Sequence, residues 1–158
     1  GTTKLAIVDY GVVRLSHTIG KGSQDITVSL ARTLGVDFAK AEEIKRQIGL
    51  VERLSNNQQI AATVSNVAEY IFLEANKVIA NYQAKNRKAV NRILLIGNGV
   101  LLKGLPELAA KSFEVPVAAG QPFAKVQAPE FLRQILTTAG PGFAVAIGLG
   151  LRYLQNLE

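Results

Sequence analysis

The stretch Arg92-Ile-Leu-Leu-Ile-Gly-Asn-Gly-Val-Leu-Leu-Lys-Gly-Leu-Pro106 decides how this chain folds. Its apolar run has no alternation of polar and apolar residues, which predicts a strand covered on both faces in a parallel sheet. Gly97 and Gly99 lack Cβ atoms where the chain turns sharply and a helix opens. Two readings of this loop stay open: an approach to a phosphate or sugar, or a tight connection without a ligand. Position 102 is Leu, so the Gly-x-Gly-x-x-Gly fingerprint is absent.

Composition restricts the class of protein. The 158 residues are 48% apolar and have a mean hydropathy of +0.19, which predicts one globular domain with a hydrophobic core. The net charge of +6 is spread along the chain, and we expect no direct binding to nucleic acid. The densest basic group is Lys85, Arg87, Lys88 and Arg92. Because the chain has no Cys and a single His, a thiolate or histidine metal site is excluded and the cytoplasm is the expected compartment.

The ends of the chain carry no visible targeting signal. The most apolar run, Phe143 to Leu151, is shorter than the ~20 residues of a membrane-spanning helix, so we expect no transmembrane segment. The sequence contains no Met and opens on Gly-Thr-Thr. We therefore expect a piece of a longer protein, in which Gly1 need not be native.

The first twenty residues predict a β-hairpin. Thr3 to Asp9 and Val13 to Ile19 both alternate around a turn at Asp9-Tyr-Gly11. The second strand is expected at a sheet edge, with His17 on its inward face as a partly buried structural histidine. The other inward residues expected there are Val13, Leu15 and Ile19.

Helices are predicted over the next segment. Ser23 is a suitable N-cap for the first helix, Gly35 ends it, and Asp37 caps the second. The inward residues of the second helix are Phe38, Ala41, Ile44 and Ile48, and its other side, Glu42, Glu43, Lys45, Arg46 and Gln47, is interpreted as a solvated face. A third, long helix from Ile60 to about Ala84 has a narrow apolar seam that favours docking on the sheet over pairing with another helix.

The carboxyl half predicts a parallel crossover. The Ile93 strand, a helix from Leu105 to Phe113 and a short strand at Val115-Pro-Val-Ala have the spacing of a βαβ unit. A short helix follows Pro129. The last helix, from Phe143 to about Leu154, is apolar on nearly every side, and its Gly148 and Gly150 indicate close approach of another backbone.

Four segments in register resemble one superfamily. They are Gly1-Thr-Thr, Ala41-Glu-Glu-Ile-Lys-Arg46, Gly97-Asn-Gly-Val-Leu-Leu-Lys-Gly-Leu105 and Phe143-Ala-Val-Ala-Ile-Gly-Leu-Gly-Leu-Arg152. Together they resemble the second lobe of actin-like ATPases, most closely the type IV pilus assembly family PilM, with FtsA next. The resemblance implies an α/β fold: the carboxyl-side lobe of an actin/Hsp70-like (ribonuclease H-like) fold. That lobe has a mixed sheet with an amino-terminal β-hairpin, a parallel βαβ unit and flanking helices, and residues 1–158 would form it as a single domain without the amino-side lobe.

The resemblance also implies where a nucleotide would bind. The second phosphate loop of the family would end at Gly1, Thr2 and Thr3. Adenosine contacts fall on Glu42, Lys45 and Arg46, whose charged groups could bind ribose hydroxyls and cover a base, and on the loop Gly97, Asn98 and Gly99. The chain departs from the family pattern at Asn98, usually Gly, at Lys4, frequently Asp, and at Gly142, where Hsp70-like members have Asp. No catalytic or metal-binding residue is implied.

The implied function is that of a scaffold. The resemblance implies a cytoplasmic protein, peripheral to the inner membrane, that binds ATP with Mg in the intact parent and recruits the cytoplasmic tail of a PilN-like inner-membrane protein. Because the tail site would lie on the missing lobe, this piece is expected not to bind the partner. Because half of the nucleotide clamp is also missing, the piece is expected to be inactive and to hold no nucleotide.

Two other functions stay open. An FtsA-like protein that tethers a filament to membrane would need an amphipathic carboxyl-terminal helix, and Leu154 to Glu158 is too short for one. An ATP hydrolase or sugar kinase would need an acidic residue for the attacking water or hydroxyl, and no clear candidate is present.

The resemblance implies a gap in the sheet. In an actin-like lobe, the strand that precedes Gly1 lies between the Thr3 strand and the Ile93 strand. We expect one of three outcomes: direct pairing of those two strands, a strand supplied by another chain in a homodimer, or residues upstream of Gly1 that fill the gap.

Overall fold

The structure, a computed structural model, describes residues 1–50 and 58–155. It contains strands β1 (Thr3–Asp9), β2 (Val12–Ile19), β3 (Ile93–Leu95) and β4 (Val117–Ala119), and helices α1 (Ser23–Leu34), α2 (Phe38–Ile48), α3 (Gln58–Asn86), α4 (Leu105–Ser112), α5 (Arg133–Ala139) and α6 (Ala144–Gln155). Short 3-10 turns lie at Asn98–Leu101, Pro122–Lys125, Glu130–Leu132 and Gly140–Phe143. The mixed α/β class with flanking helices is confirmed.

The predicted hairpin is confirmed, with one error about its faces. Strands β1 and β2 pair antiparallel from Thr3↔Ile19 to Asp9↔Val12, with a register shift between Ile7 and Val8. Ile7 and Ile19 are buried. His17, expected to be partly buried, and Val13, also expected on the inward face, are both exposed, because most of β2 is solvent-accessible and only its end at Ile19 lies in a core cluster.

Helix boundaries follow local signals at two of three predicted positions. Gly35 (φ 65) ends α1 in the left-handed conformation, and Asp37 Oδ1 accepts a hydrogen bond from Lys40 N at 2.8 Å. The N-cap of α1 is Gly22, not Ser23. Phe38, predicted to face inward, is 49% exposed, because it is the first residue of α2 and lies at the periphery of the packed face.

Helix α3 connects two hydrophobic clusters. Near its amino end, Ile60 and Val64 pack with residues of α1 and α2. Farther along, Ala68 and Phe72 pack with Ala109 and Phe113 around α4, and with Ile19 of the hairpin. The rings of Phe72 and Phe113 meet edge to face at 5.3 Å. Docking on the sheets is therefore confirmed for the second part of α3, whereas its amino part packs against the helices α1 and α2, and there the expected preference for the sheet is wrong.

The parallel crossover is confirmed, but its first strand is covered on one face only. Strands β3 and β4 pair in parallel from Ile93↔Val117 to Leu95↔Ala119, and α4 connects them. Leu94 and Ile96 are 52% and 62% exposed, so the prediction of a strand buried on both faces is wrong for this part of the chain. Ile93 and Leu95, which alternate with Leu94 and Ile96 along the chain, pack against the cluster between α3 and α4.

The two pairs of strands form separate sheets. Within the described residues each sheet has two strands, β1 with β2 and β3 with β4. Direct pairing of the Thr3 strand with the Ile93 strand, one of the three expected outcomes, is therefore wrong. Leu5 of β1 and Ile93 of β3 nevertheless pack on the same cluster along α3. Both strands thus lie on one side of α3, and each has an edge with no partner strand among the described residues.

The carboxyl-terminal segment is longer and more helical than the apolar count indicated. Glu130–Gln155 forms a helical run of 26 residues with a window of mean hydropathy 1.4, of which 11% is buried. By length and composition alone this run could cross a membrane, so counting only Phe143 to Leu151 was too narrow. Its middle is fixed to the domain, because Gly140 and Pro141 are buried and Pro141 O accepts a hydrogen bond from Gly97 N at 3.0 Å.

The glycines of α6 meet no neighbour in the described part of the chain. A Cβ placed on Gly148 or Gly150 would have no described atom within 4 Å. The close backbone approach that these glycines predicted is therefore not made within residues 1–50 and 58–155.

A strand added ahead of Gly1 is expected to stabilise the domain. We expect an extension of about six alternating apolar and polar residues to raise the unfolding free energy by roughly 2 kcal/mol or more, because it can pair with two strand edges at ~0.5 to 1.5 kcal/mol per hydrogen bond. Urea unfolding measures the change, with a Gly/Ser extension of equal length as control. Sedimentation should show that the unextended chain self-associates more. Equal unfolding midpoints for both extensions would contradict the proposed gap.

Candidate functional site

The residues predicted to bind nucleotide come from three distant segments. They are Gly1 to Thr3, the α2 segment Glu42 to Arg46, and the loop Gly97 to Gly99. In the structure, helix α1 connects the first segment to α2, and the residues around Lys103 connect α2 to the loop. The three segments are therefore linked to one another through α1, α2 and the residues that follow the Gly97 loop.

The amino-terminal segment lies against the start of α1. A Cβ placed on Gly22 would be 3.0 Å from Thr2 N and 3.1 Å from the carbonyl carbon of Gly1, so a larger residue would push the amino-terminal segment back by a few tenths of an ångström. Thr3 Oγ1 donates a hydrogen bond to Lys21 O at 2.8 Å. Gly1 and Thr2 are thereby held beside the first turn of α1.

Helices α1 and α2 are connected by the buried side chain of Lys45. This residue is 5% exposed, and its Nζ donates to Glu42 Oε2 at 2.7 Å, Ser23 Oγ at 2.7 Å and Thr27 Oγ1 at 3.0 Å. The interpretation of Lys45 as part of a solvated face is wrong. The reason is the neighbouring Ala41, which is 0% exposed and small enough to let α1 cover this side of α2.

Glu42 is held in its ionised form by the same cluster. Burial alone would raise the pKa of this carboxyl, but hydrogen bonds from Lys45 and Thr27, the charge of Lys45 and a hydrogen bond from Arg46 outweigh burial and lower the pKa to about 2. Its second oxygen, Oε1, accepts from Arg46 Nε at 3.1 Å. The Arg46 side chain is 77% exposed and that of Glu42 27%. A carboxylate and a guanidinium thus face solvent side by side.

The carboxyl end of α2 is fastened to the segment that follows the Gly97 loop. Leu50 N donates to Lys103 O at 2.8 Å, and Lys103 Nζ donates to Gln47 O at 2.8 Å. Gly49 has φ +59, and a Cβ there would lie 2.6 Å from Lys103 O. This contact fixes the α2 surface relative to the loop, since any larger residue at position 49 would force the two segments apart.

The loop itself has a backbone that requires glycine. Gly97 has φ 90 and ψ 172, a conformation that is essentially restricted to glycine. Its N–H donates to Pro141 O at 3.0 Å. Asn98 Oδ1 occupies the space into which a Cβ on Gly142 would project. The two departures from the actin-like pattern therefore fit each other, because the larger residue at 98 is accommodated by the smaller one at 142.

Two clefts of the described surface lie elsewhere. One of about 480 Å³ is lined by Asn66, Glu69, Tyr70, Phe72, Leu73, Asn76 and Ser112, and one of about 410 Å³ by Arg14, Leu15, Tyr82, Lys85, Asn86 and Lys88. Neither includes a predicted site residue. Within the part of the chain that the structure describes, no group of three or more His, Asp or Glu could hold a metal ion. The candidate site thus lies outside both of these clefts.

Comparison with known proteins places this chain in a known family. The sequence model described as cell division protein FtsA matches residues 1–148. The chain belongs to the FtsA family. It is 27% identical over 172 residues to the cell division protein FtsA of Neisseria meningitidis serogroup B, covering 94% of this chain and 39% of that protein. It is also 27% identical over 173 residues to FtsA of Agrobacterium fabrum, and this match covers 94% of this chain and 37% of that protein. The chain thus spans less than half of these relatives.

Solved structures confirm the actin-like fold. A chain of the PilM-PilN type IV pilus biogenesis complex superposes with a TM-score of 0.81 at 25% identity, covering 96% of this chain and 42% of that chain. The ethanolamine utilization protein EutJ of Carboxydothermus hydrogenoformans superposes with a TM-score of 0.64 at 20% identity, covering 93% of this chain and 46% of that chain. This match supports the fold alone. The resemblance to the PilM and FtsA group of actin-like proteins is confirmed.

Sequence reasoning missed the residues that hold the site together. Ser23 was interpreted as an N-cap and Thr27 was not singled out, yet both hydroxyls bind Lys45. Their spacing of four residues on one helix face was the available signal. Gly49 and Lys103 were also missed. A glycine just after a helix indicates a turn at Gly49, but nothing in the sequence indicates that Lys103 packs against that turn.

The contact between Gly49 and Lys103 yields a stability prediction. We expect Gly49→Ala to lower the unfolding free energy by about 2 kcal/mol or more, because φ is positive and the added Cβ would meet a backbone carbonyl oxygen. The matched control is Gly148→Ala in α6, where the space is open and we expect a gain of roughly 0.5 to 1 kcal/mol. Thermal or urea unfolding of both variants is the measurement. Equal effects of the two changes would contradict the contact.

The low pKa of Glu42 predicts a pH window. Because the pKa falls from 4.5 to about 2 on folding, the ionised group stabilises the fold fully above pH 4.5, and this contribution disappears as the pH falls towards 2. We expect Glu42→Gln to lose up to about 3 kcal/mol at pH 7 and much less at pH 2. Urea unfolding across this range measures it, with the exposed Glu43→Gln as control. A constant difference between wild type and Glu42→Gln over the window would contradict the prediction.

Proposed function

We propose that this chain is the nucleotide-binding carboxyl-side lobe of a PilM-like scaffold that binds ATP in a longer parent protein. The observation that carries the proposal is the linking of the three predicted segments to one another by the Lys45 cluster and the Gly49–Lys103 contact. A fold of this kind serves several chemistries, so the proposal is based on these residues and not on the fold alone.

The exposed groups on this surface suit the parts of ATP. Backbone N–H groups of Gly1, Thr2 and Thr3 at the start of α1 would meet phosphate oxygens. The ionised Glu42 would accept hydrogen bonds from ribose hydroxyls, and the Arg46 guanidinium would cover the base. Gly97, Asn98 and Gly99 would line the opposite side of the adenosine. A Mg ion, when bound, would neutralise phosphate charge and be held mainly by the phosphates and water.

The single lobe limits what the chain does alone. Ligand sites usually bury most of the ligand surface, and this one covers a nucleotide from one side only. We therefore propose that ATP binds to this chain with roughly millimolar affinity or weaker, and that the chain has no hydrolytic activity. In the parent, a second lobe would close the site from the other side.

The choice of a PilM-like role rests on the structural match. The TM-score of 0.81 is to a chain of a PilM-PilN complex, and it supports recruitment of a PilN-like membrane protein tail by the parent. We place that tail site outside this chain and the parent at the cytoplasmic face of the inner membrane. The FtsA sequence model, which matches residues 1–148, favours a second candidate, a division protein that tethers filaments to membrane.

Nucleotide binding can be tested on the chain itself. NMR titration with Mg-ATP is expected to shift the amide signals of Glu42 and Gly97 at millimolar concentrations, and Arg46→Ala should weaken this several-fold. Arg46 suits the test because its side chain is 77% exposed, whereas loss of the buried Lys45 would disturb the fold. The control is Arg133→Ala, an exposed arginine paired with a glutamate three residues away. Micromolar affinity would contradict the half-site proposal, and equal effects of both variants would contradict the site.

The two scaffold roles can be separated in the host. We expect deletion of the parent gene to abolish surface pili and to leave cell length unchanged. Electron microscopy for pili and phase-contrast measurement of cell length are the readouts. Filamentous cells that keep their pili would contradict the PilM-like proposal and support the FtsA-like one.

A further inference from the structure

A buried hydroxyl group lies at the centre of the contact between α1 and α2. Thr27 is 0% exposed, and its Oγ1 lies 3.0 Å from Lys45 Nζ and 2.6 Å from Glu42 Oε2. The carbonyl oxygen of Ser23 is farther away, at 3.3 Å. Thr27 therefore contacts both members of the ion pair that the proposed site depends on.

The chemistry of these groups fixes the direction of each hydrogen bond. Lys45 is a donor only, so Thr27 accepts from it. The single hydroxyl proton of Thr27 then goes to Glu42 Oε2, because a short bond to a carboxylate is stronger than a 3.3 Å bond to a neutral carbonyl. The three protons of Lys45 are directed at Ser23 Oγ, Thr27 Oγ1 and Glu42 Oε2. In this arrangement no proton of Lys45 is left for a ligand.

Glu42 is therefore oriented by its inner oxygen. Oε2 receives bonds from Lys45 and Thr27, while Oε1 lies towards solvent with Arg46 Nε at 3.1 Å. With one oxygen held by two donors, the carboxylate cannot rotate without leaving a buried charge unpaired. One carboxylate oxygen is thus held by Lys45 and Thr27, and the other, Oε1 in this structure, is presented to solvent.

We propose, resting on the proposed nucleotide site, that Thr27 is a positioning residue that orients Glu42 so that Oε1 accepts a hydrogen bond from a ligand hydroxyl. Lys45 then acts through Glu42 and does not touch the ligand. This differs from the role implied by the family resemblance, in which the Lys45 ammonium itself binds ribose. Glu42 Oε1 and the Arg46 guanidinium become the groups that contact the nucleoside.

The experiment compares three threonine substitutions. Thr27→Val removes the hydroxyl at nearly constant shape, and Thr27→Ser keeps it. The matched control is Thr63→Val, because Thr63 in α3 donates its hydroxyl only to a backbone carbonyl, Gln59 O, at 2.8 Å. Carbon-13 NMR of the Glu42 carboxyl group follows its titration in each protein, which a merely structural loss of packing would not change in a folded variant.

The expected result is a shift of one titration curve. Thr27→Val should raise the midpoint of Glu42 by about one unit, the typical contribution of a hydrogen bond to a charged group. Thr27→Ser should restore the wild-type midpoint, and Thr63→Val should leave it unchanged. A folded Thr27→Val protein with the wild-type midpoint would overturn the proposal. If Thr27→Val does not fold, the test is the rate at which the Thr27 hydroxyl proton of the wild type exchanges with water. Slow exchange supports the proposal, and exchange at the rate of free threonine overturns it.

A second arm separates this inference from the proposed function. Mg-ATP is titrated into the wild type and the three variants. We expect Thr27→Val to bind several-fold more weakly, with Thr27→Ser and Thr63→Val like the wild type; equal binding by all four would overturn the positioning role. If the wild type shows no ATP-dependent shifts at any concentration, the proposed nucleotide site fails. The carboxyl titration then still decides whether Thr27 orients Glu42.

Discussion

A buried ammonium group is the constraint on which the candidate site depends. Removing Lys45 Nζ from water is costly, and the cost is offset by a carboxylate and two hydroxyls within 3.0 Å. Losing one partner of such a pair typically costs about 3 to 5 kcal/mol, because the other charge stays buried. The relative position of α1 and α2 is therefore tightly fixed. The predicted site residues on and beside these two helices, from Gly1 to Arg46, are thereby held in fixed relative positions.

The remainder of the domain is organised around α3. This helix is long enough to contribute to two clusters, one with α1 and α2 and one with the hairpin and the βαβ unit. The two sheets therefore share a core although they share no hydrogen bonds among the described residues. The Gly97 loop is coupled to α2 by a separate contact, at Gly49 and Lys103. Glycines permit both close approaches in the site, since a Cβ would clash with Lys103 O at position 49 and would be tight against Gly1 and Thr2 at position 22.

Two residues of this region depart from the actin-like pattern together, and the packing between their segments is kept. A larger side chain at Asn98 is matched by the absence of one at Gly142, so the turn after β3 still packs on the segment before α6. The charged groups exposed nearby, Glu42 and Arg46, are oriented by groups that never reach the surface. The proposed ligand contacts and the residues that position them are thus different sets. Of the positioning residues Ser23, Thr27 and Lys45, only Lys45 lies in one of the motifs.

The sequence by itself determined the elements whose signals are local. The hairpin, the Asp37 cap, the Gly35 stop and the parallel crossover depend on backbone preferences and on hydrophobic periodicity over a few residues, and the structure has all of them. Only tertiary packing decided the burial of Lys45, because its partners Ser23 and Thr27 lie 22 and 18 residues away on another helix. Packing likewise left His17 and Phe38 exposed. Periodicity gives the face on which a residue lies; whether another element covers that face depends on contacts between segments distant in the chain.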